Sequence, residues 1–594
     1  MARGLSFSPG LARKRAVTAT PPSARSLRAI ALLIAVTAPL MVCTFRLAQL
    51  QLIEGKYNRL LAEDNRVRFV PIPADRGNIF DRNGKLLATN RLTRAVYLWP
   101  RQQSPEQWYA SAQRLGKILG LEPQEILKKL EEAGFASSLP VRITRDLSPT
   151  EFIGLAEFAG QMPGLEIRGE AARNYPNGSV AAHMLGYIGE ATADDLKEHP
   201  EYPMGMLLGK MGLERTINKV LQGKWGNRLV EVDAAGKERR ILGYQSPVGG
   251  ESVKLTVDIA LQKAAEAALG GRRGSVVVLD AKTGAVLTMV SHPTFDPNLF
   301  TRKVSASEWE QLQASDNPFL NRSLQGYPPG STFKIVTSAA AMGSGQFSPD
   351  SMLVSSAAIT VGGISFHEHG NSGYGLIGFR DALAYSSNTF FYQVGLAIGP
   401  EQISKWGKAL GIGATDLSLL GLDGGSHGSL PTPKEKQELY DEPWYAGDTV
   451  TMSIGQGLAL MTPLEMAVMV SAIANGGWRV KPHLLTAQTN TPQTAREKVG
   501  LSPEEIAVIR EGLIAVVQKG TARQLNDGTI PLTGGKTGTV EVLGQEDNSM
   551  YVGFAPANDP KIAISVVIEE GGYGATSAVP VAQAVYRAYF SQKR

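Results

Sequence analysis

The stretch from Tyr327 to Lys334, which reads Tyr-Pro-Pro-Gly-Ser-Thr-Phe-Lys, constrains the fold more than any other part of the chain. Its two prolines and its glycine cannot continue a helix, so a turn is expected there. From Ser331 onward the sequence lacks helix breakers and is apolar on one face, which predicts a helix that begins at Ser331. Lys334 then lies one turn later on the same face, where a neutral amine can take the proton of the hydroxyl group.

Two further motifs follow this Ser-x-x-Lys sequence. Residues Ser386–Asn388 read Ser-Ser-Asn, and residues Lys536–Thr539 read Lys-Thr-Gly-Thr. A lone Ser-x-x-Lys is common by chance and is typical of an ordinary helix cap followed by a surface lysine. The three motifs in this order resemble those of the penicillin-recognising acyl-serine transferases, a group that includes the penicillin-binding proteins and the serine β-lactamases.

The resemblance implies a role for each residue of the first two motifs. Ser331 is the expected nucleophile, and Lys334 is its expected general base. Ser386 is expected to relay a proton between Lys334, Lys536 and the leaving amine. Asn388 is expected to hold the amide carbonyl of the substrate. No cofactor takes part in this chemistry.

The third motif is expected to bind the substrate. Lys536 offers a positive charge to a carboxylate, while Thr537 and Thr539 add hydroxyl groups on one face of a strand. Gly535 and Gly538 lack side chains where a substrate must approach the backbone. The resemblance places the oxyanion hole at the backbone N–H groups of the nucleophile and of Thr539. A stem peptide of peptidoglycan that ends in D-Ala-D-Ala fits this arrangement, and so do β-lactams.

The N-terminal region is first basic and then apolar. The basic residues before position 29 are Arg3, Arg13, Lys14, Arg15, Arg25 and Arg28. Residues 29–45 carry no charge and span roughly 25 Å as a helix, which is enough for a short membrane crossing between arginines. We therefore expect a cytoplasmic tail over 1–28, a transmembrane anchor over 29–46, and export of the remaining chain across the inner membrane of a bacterium.

Two other signals compete with an uncleaved anchor. A cleaved signal peptide needs small residues after the apolar run, and no good Ala-x-Ala site follows it. A lipoprotein signal needs a small residue before its cysteine, whereas Val42 precedes Cys43. Cys43 is the only cysteine, so the exported part has no disulfide and no cysteine ligand for a metal.

His367 and His369 are the only clustered histidines in the sequence. Histidines two apart on a strand could share a metal ion, but no third ligand is evident in the sequence. Some members of the penicillin-binding protein 2 family carry a zinc site near the active site with a cysteine ligand. Cys43 cannot serve there, so we expect no such site and no other metal.

A chain of 594 residues requires two to four domains, and its net charge of +5 does not indicate a nucleic-acid binder. Residues 47–250 contain no catalytic constellation and are expected to form a pedestal of the dimerisation type. In this region we predict a hairpin at Asp81–Gly84, capping-box helices after Ser104 and Ser148, and strands over 205–250. The segment that begins at Arg76 resembles the Arg-Gly-x-Ile-x-Asp-Arg-x-Gly segment of class B penicillin-binding proteins.

Residues 251–594 are expected to form the penicillin-binding transpeptidase domain. Strands are predicted over 274–280, 285–291, 536–542, 549–555 and 561–570, and helices over 259–269 and 577–590. Strands from the two ends of a domain, with helical sequence between them, imply one five-stranded antiparallel sheet flanked by helices. The predicted fold class is therefore α+β, with an N-terminal transmembrane helix, an elongated pedestal and this C-terminal domain.

The resemblance extends over nearly the whole chain after residue 47 and favours the elongation-type penicillin-binding protein 2. It implies a peptidoglycan D,D-transpeptidase that works beside a glycan polymerase of the shape, elongation, division and sporulation (SEDS) family and other elongation proteins. The alternatives are a division-type class B protein, a D,D-carboxypeptidase or β-lactamase-like hydrolase, and a non-catalytic β-lactam sensor or scaffold. Intact motifs argue against the scaffold, and a sensor needs a signalling domain that a short tail does not offer.

Overall fold

The computed structural model describes residues 24–137, 139–203, 205–233, 238–302, 304–422 and 424–592. Most of the predicted cytoplasmic tail therefore lies outside the described residues. The described chain divides into two compact units, one from residues up to 70 with 228–244, and the other from 71–227 with 245–592.

Helices and strands are numbered along the chain. The α-helices are α1 (Ala24–Ala48), α2 (Gly55–Arg66), α3 (Pro105–Leu119), α4 (Pro123–Ala133), α5 (Pro149–Ala159), α6 (Ala182–Leu185), α7 (Ala193–Glu198), α8 (Gly212–Thr216), α9 (Asn218–Leu221), α10 (Ile259–Leu269), α11 (Ala306–Ala314), α12 (Lys334–Gly343), α13 (Phe379–Tyr385), α14 (Asn388–Ala409), α15 (Pro433–Tyr440), α16 (Ala446–Ser453), α17 (Pro463–Ala474), α18 (Pro503–Gln518) and α19 (Ala578–Ser591). The strands are β1 (Val67–Ile72), β2 (Ile79–Phe80), β3 (Leu86–Leu98), β4 (Val141–Thr144), β5 (Leu165–Asn174), β6 (Ile188–Glu190), β7 (Leu207–Gly209), β8 (Gly226–Val232), β9 (Glu238–Gln245), β10 (Val253–Lys254), β11 (Gly274–Asp280), β12 (Val286–His292), β13 (Met352–Ser355), β14 (Ala358–Val361), β15 (Ile364–His367), β16 (Gly375–Gly378), β17 (Trp478–Arg479), β18 (Glu497–Lys498), β19 (Gly534–Val540), β20 (Asn548–Ala555) and β21 (Ile562–Ile568).

The first unit contains an apolar N-terminal helix. Helix α1 continues through one π-helical turn, and Leu27–Ile53 is long and apolar enough to cross a membrane. Of the described helices, it is the one that meets this criterion. The helix is longer than the predicted anchor because the arginines that bound the uncharged segment do not interrupt helical backbone. It is consistent with a single-pass membrane anchor. The unit also contains a three-stranded sheet in the order β1-β8-β9.

Two local features predicted for the pedestal are confirmed in the second unit. The hairpin joins β2 to β3, with Gly84 at a φ of +83° and with the Asp81 carboxylate accepting hydrogen bonds from the N–H groups of Asn83 and Lys85, both at 2.8 Å. The capping boxes at Ser104 and Ser148 open α3 and α5.

The prediction that residues 205–250 contain only strands is wrong in part. It contains β7, β8 and β9, but helices α8 and α9 lie between the first two of these strands. Glu214 of α8 is completely buried and bonded to two arginines from distant parts of the chain. Those tertiary contacts stabilise a helix too short for its own sequence to predict.

Another part of the pedestal is carried by a long ribbon of β3 and β5, two strands of a five-stranded sheet that also contains β10, β2 and β4. Strand β3 pairs antiparallel with β5 from Thr89 opposite Asn174 to Leu98 opposite Leu165. Helices α3, α4 and α5 bury apolar side chains against the end of this ribbon, including Trp108, Leu115 and Ile126. We call residues 93–170 the head.

The second unit also contains the predicted five-stranded antiparallel sheet, in the order β12-β11-β21-β20-β19. The strands alternate their side chains between two apolar layers. Val276 and Val278 face the cluster that includes α10 and α19, while Val277 and Leu279 face the cluster that includes α17. Strand β19, which carries the Lys-Thr-Gly-Thr motif, is an edge strand of the sheet.

The base of the pedestal and the C-terminal domain share one core. Ile79, Leu87 and Leu213 from the pedestal pack in the same cluster as Leu279 and Val468 from the C-terminal domain. Strand β10, which links the two regions, pairs parallel with β2. These regions therefore stabilise each other by apolar burial, whereas the head has a separate core.

Candidate active site

Ser331 lies in a tight turn before a buried helix. A single 3-10 turn over Gly330–Phe333 leads directly into α12, so a turn followed by a helix is confirmed, but the α-helix begins at Lys334 rather than at the predicted Ser331. Gly330 has a φ of +53°, and a Cβ atom there would lie 2.7 Å from Val540 Cγ2. The close approach of this turn to β19 therefore requires glycine before the serine.

The hydroxyl group of Ser331 is available for chemistry. Ser331 is partly exposed, and within the described chain its side chain makes no hydrogen bond. The next residues, Thr332 and Phe333, are fully buried and fix the turn. The Thr332 hydroxyl donates to the carbonyl of Pro329 at 2.7 Å.

Lys334 is completely buried and joins the first motif to the second. Its Nζ donates to the Ser386 carbonyl and to Asn388 Oδ1, both at 2.7 Å, and to Ser386 Oγ at 3.2 Å. Because Asn388 turns its oxygen toward Lys334, its Nδ2 group can donate to a substrate carbonyl, as its predicted role requires.

Lys536 joins the third motif to the same serine. Its Nζ donates to Ser386 Oγ at 2.8 Å and to the Thr537 carbonyl at 3.0 Å, and its side chain is fully buried. Ser386 Oγ therefore accepts hydrogen bonds from both lysines. A hydroxyl group that accepts two hydrogen bonds still has its own proton to donate, which suits a proton relay.

Burial changes the protonation of both lysines. Desolvation lowers the pKa of Lys334 to about 7, although the nearby charge of Glu368 opposes this shift. Desolvation, together with the charge of Lys334, lowers the pKa of Lys536 well below its usual value. A pKa near 7 leaves a substantial fraction of Lys334 as the neutral amine at neutral pH, which a general base requires.

Ser386 has a conformation that non-glycine residues seldom adopt. Its φ and ψ are +60° and +38°, in the left-handed region, between the end of α13 and the start of α14. This conformation is unfavourable by about 1 kcal/mol for a residue with a Cβ atom. It turns both the carbonyl and the hydroxyl group of Ser386 toward Lys334.

The predicted substrate-binding residues lie on edge strand β19, and their hydroxyl groups have protein partners. Thr537 Oγ1 lies 2.6 Å from Thr521 Oγ1, and Thr539 Oγ1 accepts from the Gly574 N–H at 3.2 Å. Gly538 follows Lys536 by two positions, so both face the same side of the strand.

Protein contacts also constrain the two glycines of this strand. A Cβ atom at Gly535 would lie 2.1 Å from the hydroxyl oxygen of Tyr551, and one at Gly538 would lie 3.1 Å from Thr332 Cγ2. Packing against Tyr551 therefore requires glycine at position 535, whereas at position 538 a side chain would meet only a tight contact.

Sequence reasoning missed the role of Glu368. Its neighbours His367 and His369 are exposed, whereas Glu368 is 2% exposed and accepts hydrogen bonds from residues of the second motif. Among the described residues, no group of three or more His, Cys, Asp or Glu side chains is arranged to hold a metal ion. The only signal in the sequence was the histidine cluster, which pointed to the wrong side chains.

Two family models match the chain. Residues 274–587 match the penicillin binding protein transpeptidase domain, and residues 71–255 match the penicillin-binding protein dimerisation domain. The chain belongs to the class B penicillin-binding proteins.

The chain is similar over most of its length to named members of this family. The peptidoglycan D,D-transpeptidase MrdA of Acinetobacter baumannii is 32% identical over 568 residues, which cover 91% of this chain and 84% of that protein. MrdA of Escherichia coli is 30% identical, with coverage of 89% and 88%. Penicillin-binding protein PBP2 of Helicobacter pylori, solved in complex with MreC, has a TM-score of 0.79 at 27% identity, with coverage of 89% and 99%.

A second solved structure covers more of the chain. It comes from work on the coordination of polymerization and crosslinking by a peptidoglycan synthase complex. Its TM-score is 0.71 at 32% identity, and the match covers 96% of this chain and 99% of that one.

Proposed function

We propose that this penicillin-binding protein is a peptidoglycan D,D-transpeptidase of cell-wall elongation that acts through an acyl-serine intermediate. The observation that carries the proposal is the convergence of Lys334 and Lys536 on Ser386 Oγ. Lys334 follows Ser331 by three positions, and the Ser331 hydroxyl group has no hydrogen-bond partner in the described chain. The similarity to MrdA proteins supports the elongation role over the division role.

Acylation begins with the neutral form of Lys334. The amine takes the hydroxyl proton of Ser331 as Oγ attacks the carbonyl carbon of the penultimate D-Ala. The backbone N–H groups of Ser331 and Thr539 bind the oxyanion that forms. The C–N bond to the terminal D-Ala then breaks, and the proton passes from Lys334 through Ser386 to the leaving amine.

Deacylation follows the same path in reverse. An amine of a second stem peptide attacks the acyl-serine carbonyl and loses one proton through Ser386 to Lys334. The ester bond breaks, Ser331 recovers a proton from Lys334, and the new amide bond is the cross-link. Water in place of the amine would give a carboxypeptidase product.

Edge strand β19 supports binding of an extended peptide. Among the described strands, β19 pairs with β20 alone, so its other edge can form backbone hydrogen bonds with the substrate. Lys536, Thr537, Gly538 and Thr539 are the proposed substrate-binding residues. A bound carboxylate would favour the charged form of Lys536, whose pKa is lowered in the free protein.

The proposed location is the bacterial inner membrane. Residues 1–28 lie in the cytoplasm, residues 29–46 cross the membrane, and both the pedestal (47–250) and the transpeptidase domain (251–594) lie outside. The apolar helix over Leu27–Ile53 supports this arrangement. A SEDS-family polymerase and other elongation proteins are the proposed partners, in keeping with the solved complexes of similar proteins.

Labelling with a fluorescent penicillin tests the proposed reaction. Wild-type protein should form a stable adduct whose intact mass equals protein plus one penicillin, and Ser331→Ala should form none. Ser344→Ala is the matched control, because Ser344 follows the same helix and its hydroxyl group has only local partners among the described residues, the Ala341 carbonyl at 3.0 Å and the Gln346 N–H at 3.5 Å. Labelling of folded Ser331→Ala would overturn the assignment, and rapid turnover of penicillin would indicate a β-lactamase.

The head offers a test of the partner proposal. The head has its own core, so it can be removed by joining β3 to β5 where Leu92 faces Ala171. We expect glycan synthesis by the partner polymerase to be stimulated by Ser331→Ala but not by the headless protein. Equal stimulation by the headless protein would contradict control through the head, while penicillin labelling would verify that its catalytic domain is intact.

A further inference from the structure

Glu368 is a buried carboxylate that the proposed reaction does not use directly. It lies between β15 and β16, and 2% of its surface is exposed. Its two oxygens accept hydrogen bonds from six donors, most of them near the second motif. The donors are Ser387 Oγ (2.6 Å), Asn388 N (2.7 Å), Thr389 Oγ1 (2.9 Å), His369 N (3.0 Å), Thr389 N (3.1 Å) and Ser355 Oγ (3.1 Å).

These contacts hold three consecutive residues at the start of α14. The carboxylate receives the backbone N–H groups of Asn388 and Thr389, which are otherwise unpaired at a helix N-terminus. A negative charge is favourable at that end of a helix. Ser387 is bonded to Glu368 and also caps α14 by accepting from the Phe390 N–H at 3.3 Å.

The contacts lead to the amine of Lys334 in two steps. Glu368 fixes the backbone of Asn388, and Asn388 Oδ1 accepts a hydrogen bond from Lys334 Nζ at 2.7 Å. Ser386, in its left-handed conformation, is the residue immediately before this fixed segment. A displaced segment would therefore move Asn388 and Ser386, the two residues that accept hydrogen bonds from Lys334, and Ser386 is also the proposed proton relay.

We infer that Glu368 is a positioning residue for the transpeptidase reaction, one that holds Ser386 and Asn388 in the geometry that acylation needs. The inference rests on the proposed function. It assigns Glu368 no contact with substrate. Its effect is transmitted through Asn388 and, by charge, through the nearby Lys334.

The carboxylate is ionised in this setting. Burial favours its neutral form, but hydrogen bonds from Ser387, Asn388, His369 and Thr389 outweigh burial and lower the pKa of Glu368. Its charge favours protonated Lys334. The titratable groups that face Glu368 and Lys334 are Tyr374 before β16, Tyr392 on α14 and Lys536 on β19. The pKa values of both tyrosines are raised, mainly by burial, so both stay neutral near pH 7.

Glu368→Gln removes the charge and keeps the shape. We expect the second-order rate of acylation by a fluorescent penicillin to fall about 10- to 100-fold, as for a small displacement of reacting groups. We also expect the acid limb of the rate–pH profile to move to lower pH, because protonated Lys334 loses a favourable charge. Glu368→Asp keeps the charge but shortens the reach, so its rate should fall while the acid limb stays in place.

Glu465 provides a matched control. It is also a buried carboxylate at a helix start, with bonds from the N–H groups of Gly413, Gly428 and Thr462 outside the candidate site. Glu465→Gln should lower the melting temperature yet leave the acylation rate and the acid limb of the folded protein unchanged. A purely structural role for Glu368 predicts the same behaviour in Glu368→Gln.

Two milder variants keep the test decisive if Glu368→Gln does not fold. Ser387→Ala removes the shortest hydroxyl contact to Glu368, and Thr389→Val removes a hydroxyl group that lies 2.9 Å from both Glu368 and the Ser356 carbonyl. Each should lower the acylation rate severalfold. Wild-type rates in both variants, or a folded Glu368→Gln with wild-type rate and profile, would overturn the inference. Absence of labelling at Ser331 in the wild-type protein would instead overturn the proposed function.

Discussion

Two clusters of buried basic side chains differ in the groups that accept their hydrogen bonds. In the pedestal, Arg76 Nε and Arg173 Nε each donate to one carboxylate oxygen of Glu214 at 2.6 Å. In the transpeptidase domain, Lys334 and Lys536 both donate to a neutral hydroxyl group, and neither amine forms an ion pair among the described residues.

The difference follows from the chemistry of the two side chains. A guanidinium group stays charged in proteins, so burying two of them requires a carboxylate partner. An amine can lose its proton instead, and burial lowers the pKa of Lys334 to about 7. The arginine cluster therefore fixes structure, whereas the lysine cluster supplies a base that works near neutral pH.

The largest expected effect is that of Lys334→Met on acylation. The substitution keeps a long apolar stem but removes the base, so the acylation rate should fall roughly 10²- to 10⁴-fold. Stopped-flow measurements with a fluorescent penicillin provide the rate, and circular dichroism verifies the fold. A residual rate within a few-fold of wild type would show that another group takes the proton from Ser331.

The next largest effect concerns stability. Glu214→Ala leaves two buried guanidinium groups without their counter-ion, and the free energy of unfolding should fall by about 3–5 kcal/mol. Asp194→Ala is the matched control, since the exposed pair of Asp194 with Lys197 contributes at most about 1 kcal/mol. Denaturant titration measures both, and equal effects would contradict the structural role assigned to the arginine cluster.

The sequence allowed several of these features to be predicted, because their signals are local. Proline, glycine and capping residues predicted the turn at Ser331 and the helices after Ser104 and Ser148. Alternating apolar residues predicted the five strands, although β19 begins at Gly534, two residues before the predicted start.

The missed features depend on contacts between distant positions. Arg76 and Glu214 are 138 positions apart, and Glu368 is 20 positions from Asn388. No periodic pattern links such residues. The left-handed conformation of Ser386 was also missed, because serine has no intrinsic preference for it and only the surrounding contacts stabilise it.

The pH dependence of stability separates the two clusters further. Because the pKa of Lys334 is lower in the folded protein than in the unfolded chain, the unfolded chain binds more protons between about pH 7 and pH 10.5. The free energy of unfolding of wild-type protein should therefore rise through this window relative to Lys334→Met, by roughly 3–5 kcal/mol in total. Below pH 7 the difference should become constant.

Denaturant titrations at several pH values measure this difference. Glu214→Gln serves as the control, since it changes the other buried cluster without removing an amine and should add no comparable slope between about pH 7 and pH 10.5. A difference between wild type and Lys334→Met that does not vary with pH would mean that Lys334 remains charged in the folded protein.

The smallest expected effect tests whether Lys536 binds a carboxylate. Its amine lies in the same cluster, but the proposed substrate brings its own negative charge, which would complete an ion pair that the free protein lacks. Lys536→Ala should therefore slow acylation by penicillin about 10-fold more than acylation by a β-lactam analogue without the carboxylate. Both rates should also fall together by a common factor, because the donor to Ser386 Oγ is lost.

Lys282→Ala is the control for this prediction. Lys282 belongs to a second Lys-Thr-Gly sequence, where its amine pairs with Asp559 at the surface, and both rates should stay unchanged. An equal fall for the two compounds in Lys536→Ala would mean that this lysine acts only through Ser386. The two lysines would then form a single proton-transfer unit, and the substrate carboxylate would need another partner.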